Sequence, residues 1–200
     1  KPIIISTGIA TLSDIEEALD ACERMGNNEV ALLKCTSAYP SPLEDINLKV
    51  IPNMKDTFRR VVGLSDHTLG HTVPLGAVAL GAKIVEKHFT LSRADGGPDS
   101  KFSMEPDEFK EMVNRIRDLE KALGEVTYKL TEKQKKSREH SRSLFVVKDM
   151  KKGDVFTEEN VRSIRPGFGL ETKHIGEILG KRARCDVKKG TPMSWNLLVK

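Results

Sequence analysis

Over about the first 125 residues, short runs of aliphatic and β-branched side chains alternate with stretches whose apolar residues recur every three or four positions. Strands bury short apolar runs, whereas helices repeat them with a period of 3.6, so the alternation predicts βα units on a parallel sheet. Pro2 to Ser6 reads as the first strand, and a helix beginning at Ser13 carries Ile15, Ala18, Leu19 and Cys22 on one face. Glu29 to Lys34 predicts the second strand, followed by a loop with Tyr39, Pro40 and Pro42 and a helix around Leu48 to Phe58. Arg60 to Leu64 is the third strand, Ser65 to Gly70 a loop, Val73 to Leu80 a helix, and Lys83 to Lys87 the fourth strand, ending at His88 and Phe89. Past a long polar loop, Phe109, Met112, Ile116 and Leu119 predict an amphipathic helix over Pro106 to Leu123, stopped by Gly124.

The pattern then lapses. Thr127 to Arg142 is rich in Lys, Glu, Gln, Arg and Ser, which reads as a linker (127–142) between a first domain (1–126) and a smaller one (143–200). Its basic run Lys133 to Arg138 suits a solvated surface better than an acidic partner. The smaller domain contains an internal echo: Asp149-Met150-Lys151-Lys152-Gly153, with Thr157 four residues on, recurs as Asp186-Val187-Lys188-Lys189-Gly190, with Ser194 four residues on. Two similar turns are expected, with Thr157 and Ser194 each capping a short helical turn.

Composition narrows the class. At 38% hydrophobic and 31% charged over 200 residues, the chain can bury a sizeable core and is not of the disordered type. Its apolar runs are too short to span a bilayer and no signal peptide is visible, so no membrane role and a cytoplasmic location are expected. The net charge of +4 is spread among acidic residues, which argues against nucleic acid as a partner. Cys22, Cys35 and Cys185 are odd in number and widely spaced, so buried free thiols are expected rather than disulfides or a thiolate metal site.

In parallel βα folds, functional groups gather where strands end at their C-terminal edge. Here those ends read Ser6-Thr7-Gly8, Cys35-Thr36-Ser37, Ser65-Asp66-His67-Thr68 and Glu86-Lys87-His88. Small hydroxyls beside exposed backbone N–H groups can hold phosphate or carboxylate oxygens, although singly each is a common turn residue. His67 and His88 end neighbouring strands and could share one divalent ion, completed by water or substrate oxygens; the plainer reading is a pair of ordered histidines. Asp66 and Glu86 suit structural pairing as well as ligation. Asp99 lies in the tight loop Asp95-Gly96-Gly97-Pro98-Asp99, where it could orient water or sugar hydroxyls or simply shape the turn. Arg165, in Arg165-Pro166-Gly167-Phe168-Gly169, could be projected towards an anion, or be one more surface arginine.

Ile5-Ser6-Thr7-Gly8, Cys35-Thr36-Ser37-Ala38-Tyr39-Pro40, Gly63 to Gly70, Glu86-Lys87-His88-Phe89-Thr90, Gly97-Pro98-Asp99 and Ile164-Arg165-Pro166-Gly167 occur in an order that resembles the sialic acid synthase family across nearly the whole chain. The resemblance implies an α/β fold: the C-terminal half of a (β/α)₈ TIM barrel, units five to eight, followed by a small antifreeze-like (SAF, β-clip) domain. It implies His67 and His88 as ligands of a catalytic divalent metal, Mn²⁺ with Mg²⁺ or Co²⁺ as alternatives, and Ser6, Ser65 and Ser37 as contacts to phosphoenolpyruvate. Ser37 stands where sialic acid synthases usually have Asn. Tyr39 would line the site, Asp99 would sit near metal-bound water or sugar, and Arg165 would enter a partner's site in a domain-swapped homodimer. The implied reaction joins phosphoenolpyruvate to an amino-sugar aldehyde, and several segments look closest to the branch that makes pseudaminic acid from a 2,4-diacetamido-2,4,6-trideoxy hexose. N-acetylneuraminate or legionaminate synthesis is the nearest alternative, another phosphoenolpyruvate-using barrel enzyme a further one. A non-catalytic carbohydrate-binding module is the rival from another class.

Overall fold

The computed structural model describes residues 1–199 and divides the chain into two units, Lys1–Glu125 and Val126–Lys200. In the first, β1 (Ile3–Ser6), β2 (Val30–Cys35), β3 (Val61–Asp66) and β4 (Val85–Lys87) form one sheet in the order β1-β2-β3-β4, every pair parallel. The crossovers are α1 (Leu12–Arg24), α2 (Val50–Phe58) and α3 (Thr72–Ala79), and α4 (Pro106–Leu123) follows β4. Helix α1 starts earlier than Ser13: Thr11 is its N-cap, accepting from Asp14 N–H at 3.3 Å while the Asp14 carboxylate accepts from Thr11 N–H at 2.7 Å. Pro106 in the first turn and Gly124 at φ 51° bound α4 where the sequence predicts.

One face of the sheet makes the core. Leu32, Val62 and Leu64 pack there against Leu19 of α1, Ile51 and Met54 of α2, and Val73 and Ala77 of α3. Each large apolar side chain so buried contributes roughly 1.5–3 kcal/mol relative to exposure. On the opposite face, Gly63 lets three strands meet: a Cβ there would lie 2.5 Å from the Ile84 carbonyl oxygen and 2.6 Å from Leu33 Cδ2. That face is otherwise poorly covered at the strands' N-terminal ends, where Ile4 and Val61 are 56% and 51% exposed.

The second unit comprises α5 (Glu132–Arg138), the antiparallel pair β5 (Ser143–Val146) and β6 (Val161–Ile164), and the single turn α6 (Ile175–Ile178). Leu144, Val146, Phe156, Val161, Ile178 and Met193 make its core. Helix α5 lies within the stretch read as a linker; none of its residues is buried. The sequence echo proves to be a crossed clasp. Asp149 accepts from Lys189 N–H at 2.8 Å and pairs with Lys188 Nζ at 3.1 Å, while Asp186 accepts from Lys152 N–H and pairs with Lys151 Nζ, both at 2.9 Å. Met150 and Val187 bridge antiparallel between them. Thr157 Oγ1 accepts from Glu159 N–H at 3.3 Å, but Ser194 makes no side-chain cap, contrary to the expectation of two capped turns. Cys35 is buried, Cys22 partly so, and Cys185 is exposed, which corrects the expectation of three buried thiols. Among the described residues, no helix is long and apolar enough to cross a membrane.

Candidate active site

Because all four strands run in one direction, their C-terminal ends share one edge, and the two-residue period of a strand decides which side chains share a face. With Leu32, Val62 and Leu64 committed to the helices, the other face receives Ser6 and Cys35, then Ser65 and, two residues on, His67, and likewise Glu86 and His88. In-register pairing sets Cys35 beside Ser65 and Ser65 beside Glu86. These residues, with Thr7, Ser37 and Tyr39, line an open cavity of about 670 Å³.

The two imidazoles meet there, with ring centroids 5.2 Å apart and planes at 69°. His67 is only 6% exposed. Its Nδ1 lies 2.8 Å from the Thr36 carbonyl oxygen, which can only accept, so Nδ1 is the donor there and Nε2 is the nitrogen left to serve as a ligand. The carbonyl is held by a braced turn, in which Lys34 Nζ donates at 2.7 Å to both Cys35 O and Thr36 Oγ1. Burial lowers the Lys34 ammonium's pKa from its ordinary value, partly opposed by Cys35. His88 Nδ1 is 3.6 Å from Asp99 Oδ2, an ion-pair rather than a hydrogen-bond distance. Tyr39 lies 4.2 Å from His67, and Phe102 lies 5.0 Å from His88, centroid to centroid, so aromatic rings wall the pair.

Ser65 Oγ donates to Glu86 Oε1 at 2.7 Å. Thr7 is not free for a ligand: its hydroxyl donates to the Leu33 carbonyl at 3.0 Å and is buried. Gly8 keeps the rim open, since a Cβ there would sit 2.5 Å from Ser37 Oγ. Of the residues singled out from sequence, Ser6, Ser37, Tyr39, Ser65, His67 and His88 line the cavity, and Asp99 stands just outside it beside His88. Arg165 is in the second unit, exposed after β6.

Glu86, for which the sequence leaves structural pairing and ligation both open, lines the cavity as well, and so does Asp14, which no motif singles out. The signal for Glu86 was present, since it stands two residues before His88 and so shares its face. Asp66, one residue before His67, takes the opposite face and pairs there with Lys87. Among the described residues, no lysine or arginine lines the cavity. Among the described residues, no group of three His, Cys, Asp or Glu side chains is arranged to hold a metal. The imidazole pair, with ring centroids 5.2 Å apart in a polar cavity, fits part of a divalent-metal shell whose remaining positions oxygen ligands would fill.

A parallel βα sheet whose C-terminal edge joins two histidines with serine hydroxyls and a carboxylate defines an α/β protein with a polar cavity at its strand ends. The chain belongs to the NeuB family: that family's model matches residues 1–128, and the SAF domain model matches residues 141–199. It is 49% identical over 190 residues to a pseudaminic acid synthase of Campylobacter jejuni, covering 95% of this chain and 55% of that protein. An N,N'-diacetyllegionaminic acid synthase from Campylobacter jejuni is 43% identical over 192 residues, covering 94% and 58%. The crystal structure of the Bacillus subtilis spore coat polysaccharide biosynthesis protein SpsE superposes with a TM-score of 0.60 at 35% identity, covering 100% of this chain and 62% of that one. The chain thus spans little more than half the length of the curated relatives it matches.

Proposed function

We propose that this chain forms the metal-holding side of a pseudaminic acid synthase, which condenses phosphoenolpyruvate with a 2,4-diacetamido-2,4,6-trideoxy hexose and releases phosphate. The observation that carries this reading is the convergence of His67 and His88 on the cavity that Ser6 and Ser65 also line. The 49% identity to a pseudaminic acid synthase, against 43% to the legionaminic acid enzyme, supports the choice of sugar. The sheet is read as the C-terminal half of a (β/α)₈ barrel, in keeping with four consecutive parallel βα units and an uncovered inner face.

His67 and His88 would hold a divalent ion, Mn²⁺ foremost, through Nε2, with water and substrate oxygens completing the shell. Bound there, the ion supplies Lewis-acid polarisation of an aldehyde oxygen. The new bond joins C3 of phosphoenolpyruvate to the sugar's aldehyde carbon; water then adds at C2, and C–O cleavage frees phosphate. Ser6 and Ser65 donate to phosphoenolpyruvate oxygens, for which Ser65 must turn its hydroxyl away from Glu86. Ser37 contributes a further hydroxyl on the rim. Glu86 holds or accepts a proton beside the reacting centre. Asp99 orients His88, and Tyr39 and Phe102 exclude water from one side.

A trianionic substrate in a cavity lined, among the described residues, by two carboxylates and no lysine or arginine would be repelled, so further cations must come from the rest of the protein and from the metal. Arg165, exposed beyond β6, would supply one to the second subunit's pocket in a domain-swapped homodimer. A free, exposed Cys185 suits a reducing compartment such as the cytoplasm. The test is product analysis by mass spectrometry with the full-length protein, Mn²⁺, phosphoenolpyruvate and each candidate sugar. Condensation of the 2,4-diacetamido-2,4,6-trideoxy sugar that gives pseudaminic acid is expected, and His67→Ala or His88→Ala should remove metal binding and turnover together. Condensation only with N-acetylmannosamine, or only to the legionaminic acid product, would overturn the choice of sugar. Metal binding and turnover left unchanged in both histidine variants would overturn the catalytic reading.

A further inference from the structure

Directly behind the two imidazoles, on the helix-facing side of the sheet, lies a charged cluster that never touches the cavity. Asp66 and Lys87 are in-register partners on β3 and β4, with Nζ to Oδ2 at 2.7 Å and side chains 0% and 1% exposed. Thr68 closes the cluster. Its N–H donates to Asp66 Oδ1 at 2.9 Å, its hydroxyl donates to Oδ2 at 3.1 Å, and its carbonyl oxygen accepts from Lys87 Nζ. An ion pair taken this far out of water contributes little net stability compared with an apolar pair of similar size, so stability alone is a poor reason for its presence.

Its place in the chain offers a better one. His67 is bonded directly to Asp66 and His88 directly to Lys87, and adjacent residues of a strand point to opposite faces. Each member of the ion pair is therefore one peptide unit from one imidazole. β4 has only three residues, and its ladder to β3 ends at the Asp66–Lys87 pair, so His88 lies just past the last paired position. Beyond that point the His67 carbonyl accepts from Ser41 N–H at 3.0 Å and the His88 carbonyl from Met104 N–H at 2.9 Å, which fastens each end to its own neighbour, and the separation of the rings also depends on what ties the two strand ends to each other. The Asp66–Lys87–Thr68 cluster does so, and through Thr68 it also holds the residue that follows His67.

We propose that the Asp66–Lys87–Thr68 cluster is a positioning device that holds His67 and His88 at metal-chelating separation; this rests on the two-histidine metal site proposed above. Asp66, Lys87 and Thr68 are positioning residues, since none lines the cavity. Supporting groups behind metal ligands commonly change metal affinity by about 10- to 100-fold when removed.

The experiment uses the full-length protein and Mn²⁺ alone as the probe, with free Mn²⁺ followed by electron paramagnetic resonance. Asp66→Asn combined with Lys87→Met removes both charges, so neither is left uncompensated, and Thr68→Val is a milder variant should the double one fail to fold. The expected result is Mn²⁺ affinity weakened by about 10-fold or more in the double variant and by a smaller factor in Thr68→Val. Near-wild-type melting temperature should accompany it, together with turnover that recovers as Mn²⁺ is raised. A folded double variant, or in its absence Thr68→Val, that binds Mn²⁺ like the wild type overturns the proposal. His67→Ala separates the two ideas: if it abolishes Mn²⁺ binding while the cluster variants do not weaken it, only the positioning role fails. If His67→Ala itself binds Mn²⁺ normally, the metal site fails, and the positioning role with it.

Discussion

The two units solve the problem of burial in opposite ways. The SAF unit closes upon itself: Phe156, Leu144, Val146, Ile178 and Ala183 are all at 0% exposure, and bonds between distant turns tie its ends together. The NeuB unit has one finished face and one unfinished one. Behind the sheet, Leu32 and Ala77 are at 0%, yet in front Ile4 and Val61 are more than half exposed around an apolar depression at the strands' N-terminal ends. A small β-rich unit can complete its core with about 60 residues, whereas an open parallel sheet leaves a face that needs covering. That open face also carries the cavity with His67 and His88, so anything that covered the apolar floor would bear on the cavity as well.

The sharpest way to break this comparison is to open the closed core. Phe156→Ala should cost about 3–5 kcal/mol, enough to unfold the SAF unit. Amide exchange across β5 and β6 should then become fast while the amides of Leu32 and Leu33 in β2 stay protected. Equal loss of protection in both would show that the units do not have separate cores. Ile4→Ala tests the open face. If the remainder of a barrel covers it, the substitution should cost about 2–5 kcal/mol in urea unfolding of the full-length protein. A cost below about 0.5 kcal/mol, the usual size for a surface change, would mean that the face stays exposed and would count against the half-barrel reading.

A smaller effect is expected where the NeuB unit fastens the loop that bears Asp99. Arg93 grips Glu108 of α4 through two bonds, Nη1 to Oε2 at 2.5 Å and Nη2 to Oε1 at 2.8 Å. That guanidinium, aided by the Glu105 N–H, lowers the Glu108 carboxyl to about 2. A carboxyl whose pKa is lower folded than unfolded stabilises the fold above its unfolded value, near 4.5, and that contribution disappears as the pH falls towards 2. Melting temperature measured from pH 6 down to pH 2 should therefore fall less steeply in Glu108→Gln than in the wild type. Parallel curves would show that the grip has no thermodynamic weight.

Much of this was legible in the sequence, and the gaps have physical causes. Strands and amphipathic helices announce themselves through what they bury, so α4 is read to the residue. Helix α5 buries nothing and escaped notice. It rests instead on a capping box between Thr131 and Gln134 and on the Lys135–Glu132 pair, a local signature that apolar periodicity does not register. At the site, serines and histidines at strand ends stood out by type, whereas Glu86 needed a face assignment. The partner of Asp66 depended on knowing that β3 and β4 are in register there, and pairing between strands is long-range information.

The SAF echo shows the same division between what is local and what is not, and it supports the finest test. Each Asp-X-Lys-Lys-Gly copy predicts a turn, but nothing in one copy says that its Asp serves the other copy's backbone. The structure makes the service reciprocal: Asp149 caps the Lys188–Lys189 turn and Asp186 the Lys151–Lys152 turn at nearly equal distances, and both carboxyls are held below their ordinary pKa by these contacts. If the two halves are equivalent, Asp149→Asn and Asp186→Asn should lower the SAF unit's melting temperature by similar small amounts. Combining them should lose less than the sum, because each substitution loosens the turn that carries the other aspartate. Unequal single effects, or strict additivity, would mean that the symmetry lies in the fold of the turns and not in the energy of the clasp.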